Sequence, residues 1–431
     1  MDNDNAVIDR RSAWVKRAVV TWLGLALYWP VIKIGTLQFR LDYPLLFVFL
    51  LWLATERRWE RSAVNSLLVA LFFACLIVIG TLWGLRLGYP IGAALFGFLK
   101  FFVTVVVWNQ ILSYVSVFWV VRFVSILGIP AAVLAVMQVG VPAFAANLTL
   151  RWYSSGARTA PISLLGGGES IRRAVSVFES PVYAGVAFLI LAISAIVIAL
   201  TAYRKTEVIA FSVIALVYVI AGLATGSSTF ILGVAIIGLT WVIWMVISGR
   251  VSRRILLVLF AVVLLVPLAG WLYVQFWASE ALRSEIEYQI DKIMSGKVLS
   301  SRFGDAGILR EALSRWPEYW LVGLGGTRPS YFIGDSLYVV IWTRTGLTGV
   351  VTFLGLIVFL VSSVARHRGM SELSFGLCTM MVAVAAAGVG APVLSIPRFS
   401  EVIAFVFAGS WSYAGTGLQS IVQSRTEGSE L

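Results

Sequence analysis

Arginine residues in two polar segments of this chain are placed to bind an anion. Arg172 and Arg173 come shortly before an apolar run that begins at Pro181, and Arg302 follows a pair of serines. A guanidinium group binds phosphate oxygens through paired hydrogen bonds and stays charged at neutral pH. These arginines are therefore candidates for a diphosphate-binding site. Anchoring to lipid head groups at a membrane surface is the alternative interpretation.

Asp335 is the candidate for proton transfer. It directly precedes an apolar run that starts at Ser336, so it is either a helix N-cap or a carboxylate that accepts a proton from an attacking hydroxyl group. Arg344 lies about two and a half turns further along the same predicted helix, where an ionisable side chain is a functional candidate by default. Its candidate partners are Asp335 and Glu179, and a purely structural ion pair is the alternative. Tyr338 and Arg344 are candidates for substrate binding.

The segment before this helix start is rich in glycine. Gly323, Gly325 and Gly326 either let the backbone approach a ligand closely or only form a tight turn. Arg310 and Arg315 precede them at helical spacing, which predicts a surface helix with local ion pairs. We retain Arg310 as a further candidate for substrate binding.

The elements that position these residues are predicted to be membrane-spanning helices. The chain has 431 residues, of which 60% are hydrophobic and only 13% are charged, and its mean hydropathy is +0.92. A soluble domain carries about 25% charged residues. Only helices and closed barrels satisfy their backbone in lipid, and the apolar runs lack the period-2 alternation of a barrel. The sequence therefore predicts an all-α, polytopic membrane helix bundle.

A membrane-spanning helix needs roughly 20 apolar residues, and this rule predicts about twelve spans in a single integral membrane domain covering residues 1–431. The predicted spans are 18–34, 43–55, 63–84, 93–112, 117–140, 181–202, 207–224, 229–247, 254–276, 336–362, 372–390 and 401–419. Two long loops remain, at 142–180 and 277–335. The second precedes the tenth span and is predicted to contain short helices, including a surface helix at 279–294 with charges at helical spacing.

The distribution of basic residues predicts the orientation of the spans. The net charge is +12, and lysine and arginine collect in cytoplasmic connections. The basic connections fall at 10–17, 57–61, 204–205, 250–254 and 366–368. They alternate correctly with the predicted spans, so both termini are expected in the cytoplasm and both long loops outside it. Lys33, Arg40, Arg86 and Arg398 are assigned to short outer turns. Because no basic domain stands apart, no nucleic-acid partner is expected.

Cysteine and histidine give no indication of a metal site or a disulfide framework. Cys75 and Cys378 both lie in apolar runs, and the single histidine, His367, lies between two arginines. The spacings match no metal-binding pattern, so we predict neither a metal nor another cofactor.

The order of short motifs in the C-terminal half resembles the signature of the O-antigen ligase and polymerase superfamily. That signature has a Ser-Gly-Arg type start, a Gly-x-Gly turn, a His-Asn-x-Tyr-Leu helix start and a Gly-Leu-x-Gly pair. The elements of this chain that resemble it are Ser301-Arg302, Trp316-Pro317, Gly323 to Gly326, Asp335 to Tyr338 and Gly346 to Gly349.

Two segments further upstream also resemble this family. Arg173 to Pro181 is similar to the entry of its sixth span, and Thr225 to Ser228 resembles its Thr-x-Ser-Arg helix start. The chain departs from the family at the ligase histidine, where it has Asp335, and at the following asparagine, where it has Ser336. Ser228 replaces the arginine of the helix start. Ligases of the family rely on the histidine, so its absence favours a polymerase-like member.

The resemblance implies glycosyl transfer at the outer face of the bacterial inner membrane. The donor would be an oligosaccharide repeat on undecaprenyl diphosphate, and the product O-antigen, capsule or exopolysaccharide. Arg173 and Arg302 would bind the diphosphate, Arg172 would assist in substrate binding, and Asp335 would position the acceptor or act as general base. The implied partners are the lipid-linked oligosaccharide, membrane lipids, a chain-length regulator and a flippase.

Two other functions stay open on the sequence alone. One is a ligase of the same family that transfers glycan to a lipid or protein acceptor with a different base. The other is a polysaccharide transporter or flippase, which predicts ionisable residues deep in several spans. Arg122 and Arg344 are the residues of this kind that the sequence analysis identified.

Overall fold

A computed structural model of the chain describes most of its length. The described residues are 2–29, 32–34, 37–40, 42–56, 59–92, 94–140, 173–178, 180–248, 280–297, 303–304, 309–331, 336–365, 372–396 and 398–427. Arg172, Glu179, Arg302 and Asp335 lie outside these ranges, as do the predicted span at 254–276 and most of the loop at 142–180.

Helices make up nearly all of the described structure. They are α1 (Asp2–Tyr28), α2 (Asp42–Thr55), α3 (Arg61–Arg86), α4 (Ala94–Ile111), α5 (Val117–Leu127), α6 (Ile129–Gly140), α7 (Pro181–Thr201), α8 (Lys205–Ala224), α9 (Ser228–Ser248), α10 (Glu280–Met294), α11 (Arg310–Ser314), α12 (Leu337–Ala365), α13 (Glu372–Ala387) and α14 (Ser400–Glu427). Short 3-10 helices span Trp316–Tyr319 and Val393–Ser395, and an antiparallel hairpin pairs β1 (Ile32–Ile34) with β2 (Leu37–Phe39).

Several of these helices have the length and composition of membrane spans. Among the described residues, five helical stretches are long and apolar enough to cross a membrane, namely 61–86, 117–139, 181–201, 205–224 and 337–365. Four shorter apolar stretches, at 42–55, 98–111, 228–241 and 372–387, accompany them. The helical membrane character is thereby supported, while the number of spans stays a prediction.

One element boundary differs from the prediction, and one predicted span contains a turn. The helix α1 ends at Tyr28, and the last residues of the predicted first span belong to the β1–β2 hairpin instead. Trp29 precedes a proline in the sequence, a position that disfavours helical backbone. The predicted span at 117–140 matches one helical stretch at 117–139. Gly128, which separates α5 from α6 within it, has right-handed helical backbone, and a Cβ atom there would lie only 2.8 Å from the Tyr218 hydroxyl oxygen. Pro130, which lacks a backbone donor, follows this close contact.

The helix α7 forms the centre of the bundle. It packs against α5, α8, α9 and α13. Of the residues in its most apolar 18-residue stretch, 83% are buried, compared with 28–50% in the other long apolar helices. The chain reaches α7 directly from the segment that contains Arg173. This arginine therefore lies just before the most enclosed of the five long apolar helices.

Connections between helices define two ends of the bundle. At one end, the Ala174 amide donates to the Ala224 carbonyl at 2.9 Å, and the Leu337 amide donates to the Gly388 carbonyl at 2.7 Å. These contacts join the entry to α7 with the end of α8, and the start of α12 with the end of α13. We call this the loop end; it comprises residues 173–178, 225–228, 320–328 and 388–400.

The other end, which we call the opposite end, joins the connection between α4 and α5 to the helices α1 and α2. Ser12 donates its hydroxyl hydrogen to the Tyr114 carbonyl at 3.0 Å, and the Tyr114 hydroxyl donates to Glu56 at 3.1 Å. Arg122 and Glu207 form a 3.1 Å ion pair between α5 and the first turn of α8. Segments that the sequence analysis assigned to different sides of a membrane thus lie at different ends of the bundle.

The helix α12 is broken at Gly346. This residue has a φ of 68° and a ψ of −172°, so the helical hydrogen-bond pattern stops there. The segment 320–327 fills the resulting gap: the Leu347 amide donates to the Trp320 carbonyl at 2.8 Å, and the Thr348 hydroxyl donates to the Leu321 carbonyl at 3.2 Å. Partners of this kind are needed because unpaired backbone groups inside a membrane protein cost several kcal/mol each.

The carbonyl groups on the other side of the break are also paired with this segment. The Leu324 amide donates to the Thr343 carbonyl at 2.6 Å, and the Gly325 amide donates to the Arg344 carbonyl at 3.0 Å. The glycine run therefore completes the hydrogen bonding of a broken helix. These glycines, which were candidates for contact with a ligand, have a structural role here.

The helix α3 supports the glycine run from its other side. Thr81 accepts a hydrogen bond from the Gly326 amide at 2.8 Å. A Cβ atom at Gly80 would lie 2.7 Å from the Gly325 nitrogen, so only glycine permits this approach of two backbones. Residues 323–327 of this segment are consequently buried between α3 and α12.

Replacing Gly346 tests whether the break in α12 holds the fold together. Gly346→Ala places a Cβ atom on the Leu321 carbonyl oxygen, and its backbone, with φ of 68° and ψ of −172°, is in a region almost restricted to glycine that costs another residue roughly 1–3 kcal/mol. We expect a clear fall in the thermal unfolding midpoint in detergent. Gly355→Ala is the matched control, because the same helix offers it open space. Equal midpoints for the two variants would contradict this account of α12.

Candidate functional site

Arg344 binds the glycine run from within α12. Its Nη1 atom donates to the carbonyl oxygens of Gly325, at 2.8 Å, and Thr327, and only 7% of the residue is exposed. This guanidinium fixes the segment that fills the helix break. Its partners are backbone carbonyls, whereas the candidate partners from the sequence, Asp335 and Glu179, lie outside the described residues. Its role in substrate binding stays a prediction.

Arg173 lies where two of the predicted motifs meet. Its Nε atom donates to the Thr225 carbonyl at 3.0 Å, across 52 positions of sequence, and the side chain is half-buried. Thr225 is followed by Gly226, which has a φ of 54°, and α9 begins at Ser228. Ser227, at 1% exposure, lies in this turn. Thr225 is the C-cap of α8, so the guanidinium pairs with a carbonyl at the C-terminus of that helix, where the partial negative charge favours a cation.

Gln138 fixes the segment that follows Arg173. Its Oε1 atom accepts hydrogen bonds from the amides of Val175, at 2.9 Å, and Ser176, at 2.7 Å. The Ser176 hydroxyl donates to the Ala131 carbonyl at 2.6 Å, and Ser176 itself has a φ of 51°. Sequence analysis missed Gln138, although a lone amide side chain within the apolar run of α6 was the available signal.

Tyr338 and Arg310 differ in their surroundings. The Tyr338 hydroxyl donates to the Ala385 carbonyl at 2.7 Å, which ties the start of α12 to the end of α13. Ser336 adds a hydroxyl hydrogen bond to Gly388 at 3.3 Å. Arg310 is exposed at the first position of the short helix α11. The proposed contact of either side chain with substrate stays a prediction.

The surface helix predicted around Arg315 is confirmed, together with its local ion pairs. Arg315 lies 3.3 Å from Glu311 and 3.5 Å from Glu318. Glu318 also attaches this region to α3, because it accepts the Tyr89 hydroxyl at 2.7 Å and its carbonyl accepts the Trp83 indole N–H at 2.7 Å. Burial, and then the hydrogen bond to Glu318, raise the pKa of Tyr89, so this phenol remains a donor at neutral pH.

A buried cluster of four charged side chains lies at the loop end. The Asp42 carboxylate accepts from Arg40 at 2.9 and 3.1 Å and from Lys100 at 3.1 Å. Lys100 also donates to Glu401. The side chains of Asp42 and Glu401 are almost completely buried, and those of Arg40 and Lys100 are 13% and 15% exposed. The cluster joins α2, α4 and α14 and contains two charges of each sign.

Neighbouring groups complete the hydrogen bonding of this cluster. Ser400 donates to the second oxygen of Glu401 at 3.1 Å, and the Trp108 indole donates to the Glu401 carbonyl at 2.9 Å. The Tyr43 ring centroid lies 4.6 Å from the Lys100 ammonium, within the range of a cation–π contact. Removing one partner from such a buried pair leaves an uncompensated charge, which costs more than the pair contributes.

Arg398 performs a related function at the start of α14. It is 2% exposed, and its Nη1 atom donates to the carbonyls of Trp29, at 2.7 Å, and Leu27, at 3.4 Å. Sequence analysis had placed Arg40 and Arg398 in short outer turns. The structure shows that both side chains are largely enclosed and that they bind the end of α1 and the first residue of α2.

More ionisable residues lie within or beside the apolar segments than the two that were predicted from the sequence, Arg122 and Arg344. Asp42 and Glu401 are buried and Lys100 is largely enclosed. None of the three had been named, although each interrupts or borders an apolar run. Arg122, which had been named, forms a partly exposed pair with Glu207.

Within the ranges that the structure describes, histidine, cysteine, aspartate and glutamate do not occur in groups of three that could hold a metal ion.

Comparison with known proteins adds no identification. No family model matches the chain, and neither a curated protein nor a solved structure is similar to it. The arrangement at the loop end can nevertheless be described chemically. A fixed arginine supplies positive charge and directed N–H groups, and these are the groups that bind phosphate oxygens.

A double-mutant cycle tests the buried cluster. We expect Lys100→Met or Glu401→Gln alone to destabilise the protein by roughly 3–5 kcal/mol, because each leaves a buried charge unpaired. The double variant should lose clearly less than the sum, since the remaining Arg40–Asp42 pair is balanced. Unfolding in detergent measures both quantities.

The pair Arg122–Glu207 provides the control for this cycle. Its side chains are 42% and 31% exposed, so the same neutralisations there should cost below about 1 kcal/mol. Additive effects at Lys100 and Glu401 would mean that the two side chains do not interact.

Proposed function

We propose that this protein is a membrane glycosyltransferase that polymerises oligosaccharide repeats carried on undecaprenyl diphosphate. The observation that carries the proposal is the hydrogen bond from Arg173 to the Thr225 carbonyl. It joins the two upstream segments that resemble the O-antigen ligase and polymerase superfamily, and it holds a cation at the turn between α8 and α9.

The proposed reaction is a direct displacement, so it requires positive charge to stabilise the leaving diphosphate and no nucleophilic side chain of the protein. A hydroxyl oxygen of the acceptor sugar attacks the anomeric carbon of the donor, and the bond from that carbon to the diphosphate oxygen breaks. The diphosphate leaves with the bonding electrons, and the hydroxyl proton passes to a base. Arg173 and Arg302 stabilise the negative charge that develops on the leaving group, and the Asp335 carboxylate takes the proton.

The anchored segment 320–327 supports this assignment. Arg302 precedes it and Asp335 follows it in the sequence, and the described part between them is fastened to α3 and α12. Arg344 contributes by holding the segment through the carbonyls of Gly325 and Thr327. In this proposal Arg344 is a positioning residue, while Arg172, Arg310 and Tyr338 are candidates for contact with the glycan or its diphosphate.

The proposed orientation places the loop end outside the cytoplasm. The opposite end carries Arg61, Arg204 and Lys205 in or beside short connections, and the positive-inside rule assigns such connections to the cytoplasm. Both termini are then cytoplasmic, and the chain lies in the inner membrane of a bacterium with about twelve spans. The lipid-linked donor is reached from the outer leaflet.

A transporter of lipid-linked glycan is the second candidate, and the buried cluster around Lys100 is the observation that favours it. Ionisable residues inside membrane proteins often mark substrate or ion pathways. The charges of Asp42 and Glu401 are, however, matched by those of Arg40 and Lys100 through short contacts. A balanced and enclosed cluster suits a structural connection better than a pathway.

Elongation by the purified protein tests the proposed function. The full chain in detergent is given an oligosaccharide on undecaprenyl diphosphate, and product length is followed by gel electrophoresis. Arg173→Ala and Arg302→Ala should each reduce elongation about 100-fold, the effect of losing one charge-stabilising group. Asp335→Asn should do the same if this carboxylate is the base. Arg86→Ala, an exposed arginine at the end of α3, should retain activity.

The same experiment separates the competing functions. A transporter forms no new glycosidic bond in detergent. A ligase makes its product only after a lipid or protein acceptor is added, and the polymer attached to undecaprenyl diphosphate does not lengthen. Full elongation by all three site variants would show that the assigned residues are not the site.

A further inference from the structure

A cavity at the opposite end plays no part in the proposed glycosyl transfer. It measures about 520 Å³ and is lined by residues of α1, α2 and the connection between α4 and α5. The lining residues are Arg11, Trp14, Val15, Trp52, Thr55, Glu56 and Tyr114. Ligand-binding cavities typically enclose about 300–1,000 Å³, so this one is large enough to hold a polar head group.

Three aromatic rings form one part of the lining. The centroids of Trp14 and Trp52 are 6.4 Å apart, and those of Trp52 and Tyr114 are 5.5 Å apart, with the rings inclined at 56° and 62°. Inclined rings around a cavity, together with a carboxylate, are the surroundings that bind an alkylammonium group through cation–π and ionic contacts. Glu56 provides that carboxylate beside Tyr114.

Arg11 provides the opposite charge. It is exposed at the rim of the cavity, and its guanidinium interacts with the Tyr114 hydroxyl. Among the described lining residues, the cavity offers one cation and one anion, and these two charges balance. A purely anionic ligand would be repelled by Glu56, and a purely cationic ligand would be repelled by Arg11. A zwitterion that carries both a phosphate and an ammonium group satisfies both side chains.

The outer face of α2 indicates that this zwitterion belongs to a lipid. Phe47, Leu51 and Thr55 are four positions apart and therefore lie on one face of the helix. Phe47 is 60% and Leu51 53% exposed, and Thr55 lines the cavity. An apolar strip on α2 therefore leads directly to the polar cavity, which matches the arrangement of acyl chains below a head group.

We propose that this cavity binds the head group of a zwitterionic phospholipid, with its phosphate at Arg11 and its ammonium group at Glu56 among the rings of Trp14, Trp52 and Tyr114. The acyl chains follow the exposed face of α2. Because the cavity lies at the opposite end, the lipid occupies the leaflet away from Arg173. This proposal does not depend on the transferase activity.

Lipid binding to the full-length protein in detergent tests the proposal. Native mass spectrometry measures the retention of phosphatidylethanolamine and phosphatidylglycerol, which share the phosphate but differ in the ammonium group. The wild-type protein should bind phosphatidylethanolamine about tenfold more tightly, a difference of about 1.4 kcal/mol that the ammonium contacts can supply. Equal retention of the two lipids would overturn the proposal.

Single variants test whether Arg11 binds the phosphate and Glu56 binds the ammonium group of the lipid. Glu56→Gln should remove the preference for phosphatidylethanolamine and leave phosphatidylglycerol binding unchanged, and Arg11→Gln should weaken both lipids. Arg17→Gln, an exposed position on the same helix, is the matched control and should change neither. An unchanged preference in Glu56→Gln, or an equal loss in Arg17→Gln, would contradict the assignment. Unfolding midpoints of the variants show whether each remains folded.

Free phosphoethanolamine distinguishes a lipid from a soluble ligand. If acyl chains lie along α2, free phosphoethanolamine binds much more weakly than the lipid, and Leu51→Ser weakens only the lipid. Equal affinity for the free compound and the lipid would exclude the lipid as the ligand of this cavity.

Discussion

The break in α12 at Gly346 is the constraint on which the loop end depends. A helix that opens inside a membrane protein exposes donors and acceptors that water cannot reach, and these must be paired within the protein. The segment 320–327 supplies the partners through the backbone, and Arg344 then closes the arrangement by binding two carbonyls of that segment. The loop and the break therefore form together, because neither has satisfied hydrogen bonds without the other.

The buried cluster around Lys100 has a similar role in arranging the helices α2, α4 and α14. Buried ion pairs contribute little net stability because desolvation offsets their attraction, but a mismatched arrangement is strongly disfavoured. The four charges therefore select one relative position of α2, α4 and α14. Arg398 adds the end of α1 to this group through carbonyl contacts. In both regions, the polar groups decide how apolar helices are arranged, since lipid-facing side chains distinguish poorly between alternative packings.

The sequence predicted what depends on local pattern and missed what depends on distant contacts. Most helices were predicted because long apolar runs are visible within one window, and α10 because its charges recur at helical spacing. The hairpin and the break at Gly346 were not predicted, since a single proline or glycine inside an apolar run is compatible with an ordinary span. The contact between Lys100 and Glu401 crosses 301 positions, so no local spacing could indicate it. The partners of Arg344 were missed because the sequence suggested carboxylates, and the contacts are backbone carbonyls.

The positions of Arg173 and of the glycine run share one physical feature, which is attachment to the enclosed part of the bundle. Arg173 precedes the central helix α7 and is followed by a segment that Gln138 holds through three hydrogen bonds. The glycine run is enclosed between α3 and α12. Groups that stabilise charge in a transition state work best when their geometry is fixed before the substrate arrives. If the loop end is a transferase site, its charge-binding residues are therefore held by the helices, and recognition of particular sugars falls to the long loops, which can vary without disturbing them.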